Sequence, residues 1–206
     1  MNLVMMEFLT LDGVSQGPGS PDEDRSDGFT LGGWFVPFLD GVFLAQVQTW
    51  AKEAGSYLFG RRTYQAFADA WPQMDDPDDP IARSLNESPK YAASHTLAQA
   101  DATWGPVTLL SGDVAAQVAA LKAQPGREIQ MHGSTRLGQS LLDAGLIDEL
   151  RLIVAPVVLG TGRRFFRDGA IPTGLKLTSS QTTPRGLALQ TYQVTGRPEF
   201  GTYGAE

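Results

Sequence analysis

Between Glu128 and Phe166 the chain reads EIQMHGSTRLGQSLLDAGLIDELRLIVAPVVLGTGRRFF, and this stretch restricts the fold more than any other. A short apolar strand, Glu128–Met131, runs into His132-Gly133-Ser134. A helix-period segment follows with Leu137, Leu141, Leu142 and Ala144 on one side; Gly145 closes it, and a second strand, Glu149–Val154, leaves it. Small residues between a strand end and a helix start let backbone N–H groups approach an anion, and the helix dipole favours negative charge there.

The rest of the chain repeats this alternation. Leu3–Leu11 is a nearly continuous apolar strand, as for a strand buried on both faces, and it ends at the turn signal Asp12-Gly13. Residues 14–33 collect Gly, Pro, Ser and Asp without period; a segment that long inside one domain reads as a functional lid or as a surface excursion. From Asp40 to Glu53, Phe43, Val47, Trp50 and Ala54 recur at helical spacing, with Asp40 placed to cap. Gly55 ends that helix and Ser56–Phe59 is a strand. Gly60-Arg61-Arg62-Thr63 then opens a short helix that Trp71-Pro72 stops. The pattern predicts a helix over Ile81–Glu87, strands at Lys90–Ser94 and Val107–Leu110, and a helix from Asp113 to Gln124 on a Val114, Val118, Leu121 stripe. Leu175–Gln181 and Leu187–Val194 read as an antiparallel hairpin turning at Pro184-Arg185-Gly186. The fold class is therefore α/β, a three-layer domain over residues 1–195 with a mostly parallel central sheet, a C-terminal antiparallel hairpin, and a tail or oligomer arm at 196–206.

Composition removes whole classes of function. No cysteine among 206 residues means no disulfide, no thiol nucleophile and no Cys-type zinc site. A net charge of −7 does not suit a general nucleic-acid binder, and no apolar run is long enough to span a membrane. The first residues lack a basic leader, and Glu7 interrupts their apolar run, so a cytoplasmic protein is expected. The acidic runs at Asp22–Asp27 and Asp75–Asp79 read as solvated loops. Against this background Arg61-Arg62 and Arg163-Arg164 stand out, and a local positive site in an acidic chain suits a small anionic ligand.

In a parallel sheet, ligands bind at the carboxyl ends of the strands. That rule puts Asp12, Gly60–Thr63, Ser94-His95 and Gly133-Ser134 along one rim. Arg pairs with phosphate bidentately, and a Thr at a helix start bonds a further oxygen. The rim reads as a dinucleotide site.

The segments TLDG, LFGRRTY, KYAASHTL and HGSTRLGQSLLDAGLIDELRLIVAPVVLGTGRRFF, in this order, resemble the dihydrofolate-reductase-like fold. More closely they resemble its riboflavin-biosynthesis branch, the deaminase-reductase C-terminal domain, over Leu3 to Val194. The resemblance implies reduction of a heterocyclic small molecule with NADPH, or NADH; the family's named activity is 5-amino-6-(5-phosphoribosylamino)uracil reduction. It assigns Gly60, Arg61 and Thr63 to the phosphates, with Arg62 beside them. Ser94-His95 falls where relatives carry Ser-Arg on the 2′-phosphate. It assigns Gly133-Ser134 to a cis-peptide turn facing the cofactor, and Thr135, Arg136 and Leu137 to the helix start over the pyrophosphate. It also makes residues 14–33 a lid over the nicotinamide and implies a homodimer through the C-terminal strands. Without cysteine, no zinc deaminase half accompanies the reductase, and no metal is expected.

Reduction of C=N or C=O needs a proton donor. Asp12 and Asp40 are the candidates, each with a structural alternative, a turn for Asp12 and a helix cap for Asp40. Trp34 either stacks on substrate or packs in the core. His132 is read as orienting the backbone, and Arg163-Arg164 as meeting a substrate phosphate or as a solvated pair. Two other functions compete: a non-catalytic nucleotide-binding or scaffold protein that retains the fold, and a Rossmann-type enzyme. The absence of G-x-G-x-x-G after the first strand weakens the second.

Overall fold

A computed structural model describes residues 1–74 and 76–204. Eight strands form one sheet in the order β4-β3-β2-β5-β1-β6-β8-β7. They are β1 (Leu3–Thr10), β2 (Ala54–Gly60), β3 (Lys90–Ala93), β4 (Val107–Leu110), β5 (Glu128–His132), β6 (Glu149–Ala155), β7 (Gly174–Thr182) and β8 (Ala188–Gly196). The first six in sheet order are mutually parallel. β8 joins β6 antiparallel and β7 closes the hairpin, so the expected mixed topology is present.

Five helices cover the two faces: α1 (Gly41–Glu53), α2 (Arg61–Ala70), α3 (Pro80–Glu87), α4 (Val114–Lys122) and α5 (Thr135–Asp143). On one face Phe43, Val47 and Trp50 of α1, Tyr64 of α2, and Ile81 and Leu85 of α3 pack on Tyr57, Phe59 and Ile153. On the other, Val118 of α4 and Leu141 of α5 meet Met5, Leu9, Leu58, Ile129, Met131 and Leu150. Strand β1 is sandwiched between β5 and β6 with helices above and below, which is why its sequence shows no polar alternation.

The differences from the sequence reading are local. Helix α1 runs directly into β2, so Gly55 lies inside the strand rather than ending the helix. A Cβ there would stand 2.9 Å from the Arg127 Cβ, and the β2–β5 register shifts beside it; close approach, not termination, is the reason for this glycine. Ala144 caps α5 and is exposed, outside the buried stripe expected of it, and Gly145 follows with φ +67°. The acidic run at Asp75–Asp79 is not free loop throughout: Asp79 caps α3 through the Ile81 amide, while Asp75 lies outside the described residues. The tail has no helix or strand over residues 197–204, and residues 205 and 206 lie outside the described residues. No described helix is long and apolar enough to cross a membrane.

Candidate active site at the strand-end rim

Strands β3, β2, β5 and β1 are successive neighbours, so Ser94, Gly60, Gly133 and Asp12 follow their carboxyl ends side by side along one rim. At about 4.8 Å per strand this rim extends roughly 14 Å. Its centre is where β2 and β5 end. The Gly60 amide donates to the Ser134 hydroxyl at 2.9 Å, and a Cβ built on Gly133 would lie 3.7 Å from Thr63 Cγ2. The two strand–turn–helix units therefore touch, and α2 and α5 begin beside each other.

Gly133 has φ +54° and Ser134 φ +60°. Two successive left-handed residues make the turn, and at Ser134 that conformation costs on the order of 1–2 kcal/mol, offset in part by the Gly60 bond. The cis peptide implied by the resemblance is not there: no cis bond occurs among the described residues.

Helix starts elsewhere are capped by aspartates. Asp40 accepts from the Phe43 amide, Asp79 from Ile81 and Asp113 from Ala116, each serving a helix N-terminus. The two helices that begin at the centre of the rim differ. Gly60 precedes α2 and has no side chain to cap with, and Ser134 gives its hydroxyl to Gly60 instead of to α5. Their first-turn N–H groups and the positive ends of their dipoles are thus left without a side-chain acceptor. Arg61, Arg62 and Arg136 are exposed around these ends, and Arg61 donates to Gln65 at 3.3 Å. Thr63 is half-buried against Gly133, and Leu137 packs partly into the core with its Cβ beside Gly60. Ser94 accepts from the amides of Thr96 and Leu97, forming a tight turn that exposes His95.

Segment 14–33 lies closed against residues 156–166. Val14 bridges Arg164, the Ser15 amide donates to the Arg163 carbonyl, and the Arg163 amide donates to Gln16. The Arg163 guanidinium reaches Asp24 at 2.9 Å, Ser26 at 2.7 Å and Asp27 at 3.2 Å. A Cβ at Gly162 would fall 2.7 Å from Val14 and 2.8 Å from Phe29, so GTGRR packs tightly beneath the loop. The two arginines are not a free solvated pair: Arg163 is committed to the loop, and Arg164, though exposed, bonds the carbonyl and carboxylate of Asp12. Asp24 is half-buried in this clasp rather than free in a solvated run, while Asp27 reaches Arg163 from the exposed side.

Both proposed proton donors are committed as acceptors. Asp12 takes bonds from Thr10 Oγ1 and from the amides of Leu159 and Gly160; the Thr10 bond first, then the two amides, hold its carboxyl at about 2. Asp40 caps α1 and also accepts from the Arg185 amide, with the Phe43 N–H foremost in keeping it below the usual carboxylate range. Neither retains a proton at neutral pH. Trp34 is 7% exposed, donates its indole N–H to the Gln16 carbonyl at 2.8 Å and packs edge-on to Phe35. Of its two readings the structure selects the core. His132 sits among Tyr57 and Phe67 with Nε2 3.1 Å from Gln130, and burial, with Arg151 second, pushes it down to about 4. It is neutral and structural.

The residue that sequence reasoning passed over is Glu7. It lies in the core of β1, 2% exposed, and burial pushes its carboxyl up to about 8. Thr135 Oγ1 donates to it at 2.9 Å, and Ser15 stands 3.0 Å from Thr135. The signal was visible as the one charge in LVMMEFLT, where it served only to argue against a leader.

A groove of about 470 Å³ between α1 and the β7–β8 turn, lined by Asp40, Gln46, Thr49 and Gln181 among others, lies away from this rim. Arg and Lys are absent from its lining, so it does not suit a phosphate.

The fold recurs in known proteins. The chain is 27% identical to the uncharacterized protein YyaP of Bacillus subtilis (strain 168), over 91% of this chain and 92% of that one. Among solved structures it matches a candidate riboflavin biosynthesis protein from Shewanella sp. PV-4, with a TM-score of 0.65, 20% identity and coverage of 95% and 99%. A pyrimidine reductase-like protein from Corynebacterium diphtheriae matches with a TM-score of 0.60 and 14% identity, over 94% of this chain and 91% of that one. Dihydrofolate reductase from Enterococcus faecalis, solved with NADP(H), matches with a TM-score of 0.55 and 12% identity, over 94% and 96%. At these identities the structures show the fold, which is dihydrofolate-reductase-like. Residues 2–189 match the RibD C-terminal domain, and the chain belongs to that family.

Proposed function

We propose that the chain is an NAD(P)H-dependent reductase of a heterocyclic, pyrimidine- or pterin-like small molecule, with the dinucleotide laid across the N-termini of α2 and α5. The observation that carries this reading is that the two helices meeting at the centre of the rim are the ones left without side-chain caps, while α1, α3 and α4 each have an aspartate. A built-in carboxylate would compete with a phosphate for the same N–H groups. The cofactor fits these residues: first-turn amides and Thr63 for the pyrophosphate, Arg61 and Arg62 for its charge, Ser94 and His95 toward a 2′-phosphate. NADPH, or NADH, supplies the hydride when bound. The chain's own part is to position it and, through the clasped segment 14–33, to keep water from the reacting carbon.

Family membership supports the reductase class, and the activity implied by the resemblance, reduction of 5-amino-6-(5-phosphoribosylamino)uracil, supports a heterocyclic substrate. A second copy of the chain is proposed to cover β7, an edge strand exposed along almost its whole length with Leu175 and Leu177 outward. Incubation with NADPH or NADH and a panel of pyrimidine, pterin and carbonyl compounds, followed by loss of nicotinamide absorbance, tests the reading. Reduction of at least one heterocycle is expected. Tight NADPH binding with no panel member reduced would favour the non-catalytic nucleotide-binding alternative.

A further inference from the structure

Glu7 shares its face of β1 with Met5 and Leu9, under α4 and α5, and meets α5 at its first residue through Thr135. Its second carboxyl oxygen, Oε2, is buried and has no hydrogen-bond partner among the described residues. A carboxyl group with one buried oxygen left over therefore sits directly beneath a helix N-terminus that has no side-chain cap.

No cation among the described residues compensates it. From the loop side, Glu23 adds negative charge. Arg163 offers Ser15 its carbonyl and gives its guanidinium to Asp24 and Asp27. On α5, Arg136 is exposed in the first turn. On α4, Lys122 is bound to Asp148 and to the Leu146 carbonyl. His132 of β5 and Arg151 of β6 lie on the opposite face, against Tyr57 and Trp50. The in-register neighbour on β6 is Leu152.

We propose that the N-terminus of α5 accepts the pyrophosphate of a dinucleotide only while Glu7 is neutral, so that binding at this site is coupled to a proton. An ionised Glu7 and a bound pyrophosphate would be two anions competing for one helix end, in a place where little water screens them. A neutral Glu7 accepts the Thr135 hydroxyl and leaves the helix dipole to the ligand. Burial already keeps the group neutral up to about pH 8. The coupling is therefore silent at neutral pH and felt above it. This inference rests on the dinucleotide reading of the rim.

The test is the dissociation constant of NADPH from pH 7.5 to 9.5, for the native protein and for Glu7→Gln, which keeps the shape and the Thr135 bond of the neutral acid. Above pH 7.5 a ligand phosphate, with a second pKa near 6, no longer titrates. Lys90 also titrates in this window, its amine lowered by burial to about 8, but it lies at the first residue of β3, opposite the rim, and is common to both proteins. With a competent fraction set by a carboxyl near 8, native affinity weakens roughly 20-fold across the window while that of Glu7→Gln changes less than about twofold. Calorimetry of NADPH binding to the native protein at pH 8.5, in two buffers of different ionisation enthalpy, should show uptake of most of one proton and needs no variant to fold. Failure of NADPH to bind at any pH overturns the dinucleotide reading itself. Binding with a pH-independent constant and no proton uptake overturns the Glu7 coupling alone, as does an equal pH dependence in Glu7→Gln.

Discussion

The amide of Gly60 and the hydroxyl of Ser134, separated by 74 positions in the chain, are bonded at 2.9 Å and hold the starts of α2 and α5 together. The bond uses the one side chain that would otherwise cap α5, and it helps keep Ser134 in a left-handed conformation. Ser134→Ala removes the bond and keeps the strain. It should lower stability by about 1–2 kcal/mol and weaken NADPH binding about tenfold, read by thermal denaturation and fluorescence titration. Unchanged affinity would separate this turn from the site.

Gly133→Ala tests the turn from its other half. A methyl has room, with nothing nearer than 3.7 Å, so any loss comes from the positive φ alone. About 1–2 kcal/mol of destabilisation is expected, measurable by urea titration with an unchanged m-value.

Arg61→Ala and Arg62→Ala leave the fold intact, because both side chains are exposed and, among the described residues, only Arg61 makes a side-chain bond. Each should weaken NADPH binding by about 1–2 kcal/mol and flatten its salt dependence. His95→Arg should act in the opposite sense, improving NADPH roughly tenfold over NADH if Ser94-His95 meets the 2′-phosphate. Titrations at two ionic strengths decide both.

Glu7 also predicts how stability varies with pH. Its folded carboxyl is raised to about 8, above the ordinary value near 4.3 for an unfolded chain. The folded state then binds the extra proton, so the contribution is fully present below about pH 4.3 and is lost as pH rises through 8. Glu7→Gln should be more stable than the native protein at pH 8.5, by on the order of a few kcal/mol, and the two should converge toward pH 5. Denaturant unfolding at a series of pH values measures this, and equal curves at pH 8.5 would contradict it.

The clasp has the opposite sign. Asp12 and Asp24 are held at about 2, Asp12 chiefly by Thr10 and Asp24 by Ser26 and Arg163 against the cost of its burial. Their stabilisation is present above about pH 4 and is lost as pH falls toward 2. Acid should therefore release segment 14–33 and expose Trp34, and Arg163→Met should do so already at neutral pH. A red shift of Trp emission together with faster amide exchange confined to residues 14–33 would show it.

Strand and helix placement was legible because α1 and α4 have sequence-visible Asp caps and apolar spacing, whereas the Asp79 cap of α3 was hidden in an acidic run, and because β1 is a run that fits only the middle of a sheet. The rim was legible from the parallel order, which brings glycine turns distant in sequence to neighbouring strand ends. What charge and spacing could not give was commitment. Arg163, Arg164, Asp12 and Asp24 look like free functional groups in sequence, but their partners stand up to 152 positions away. Trp34 is read as core only once its indole N–H is seen on Gln16. Glu7 was hidden for the reverse reason: a carboxylate in an apolar strand gains meaning only when Thr135 is placed above it.

The most direct measurement is amide hydrogen exchange with and without NADPH at pH 7.5. Protection concentrated at residues 60–63 and 133–137, the two helix starts joined by Gly60 and Ser134, is the predicted result. Protection that instead falls on the groove of Asp40, Gln46 and Gln181, or none at millimolar NADPH, would contradict a dinucleotide site at this rim.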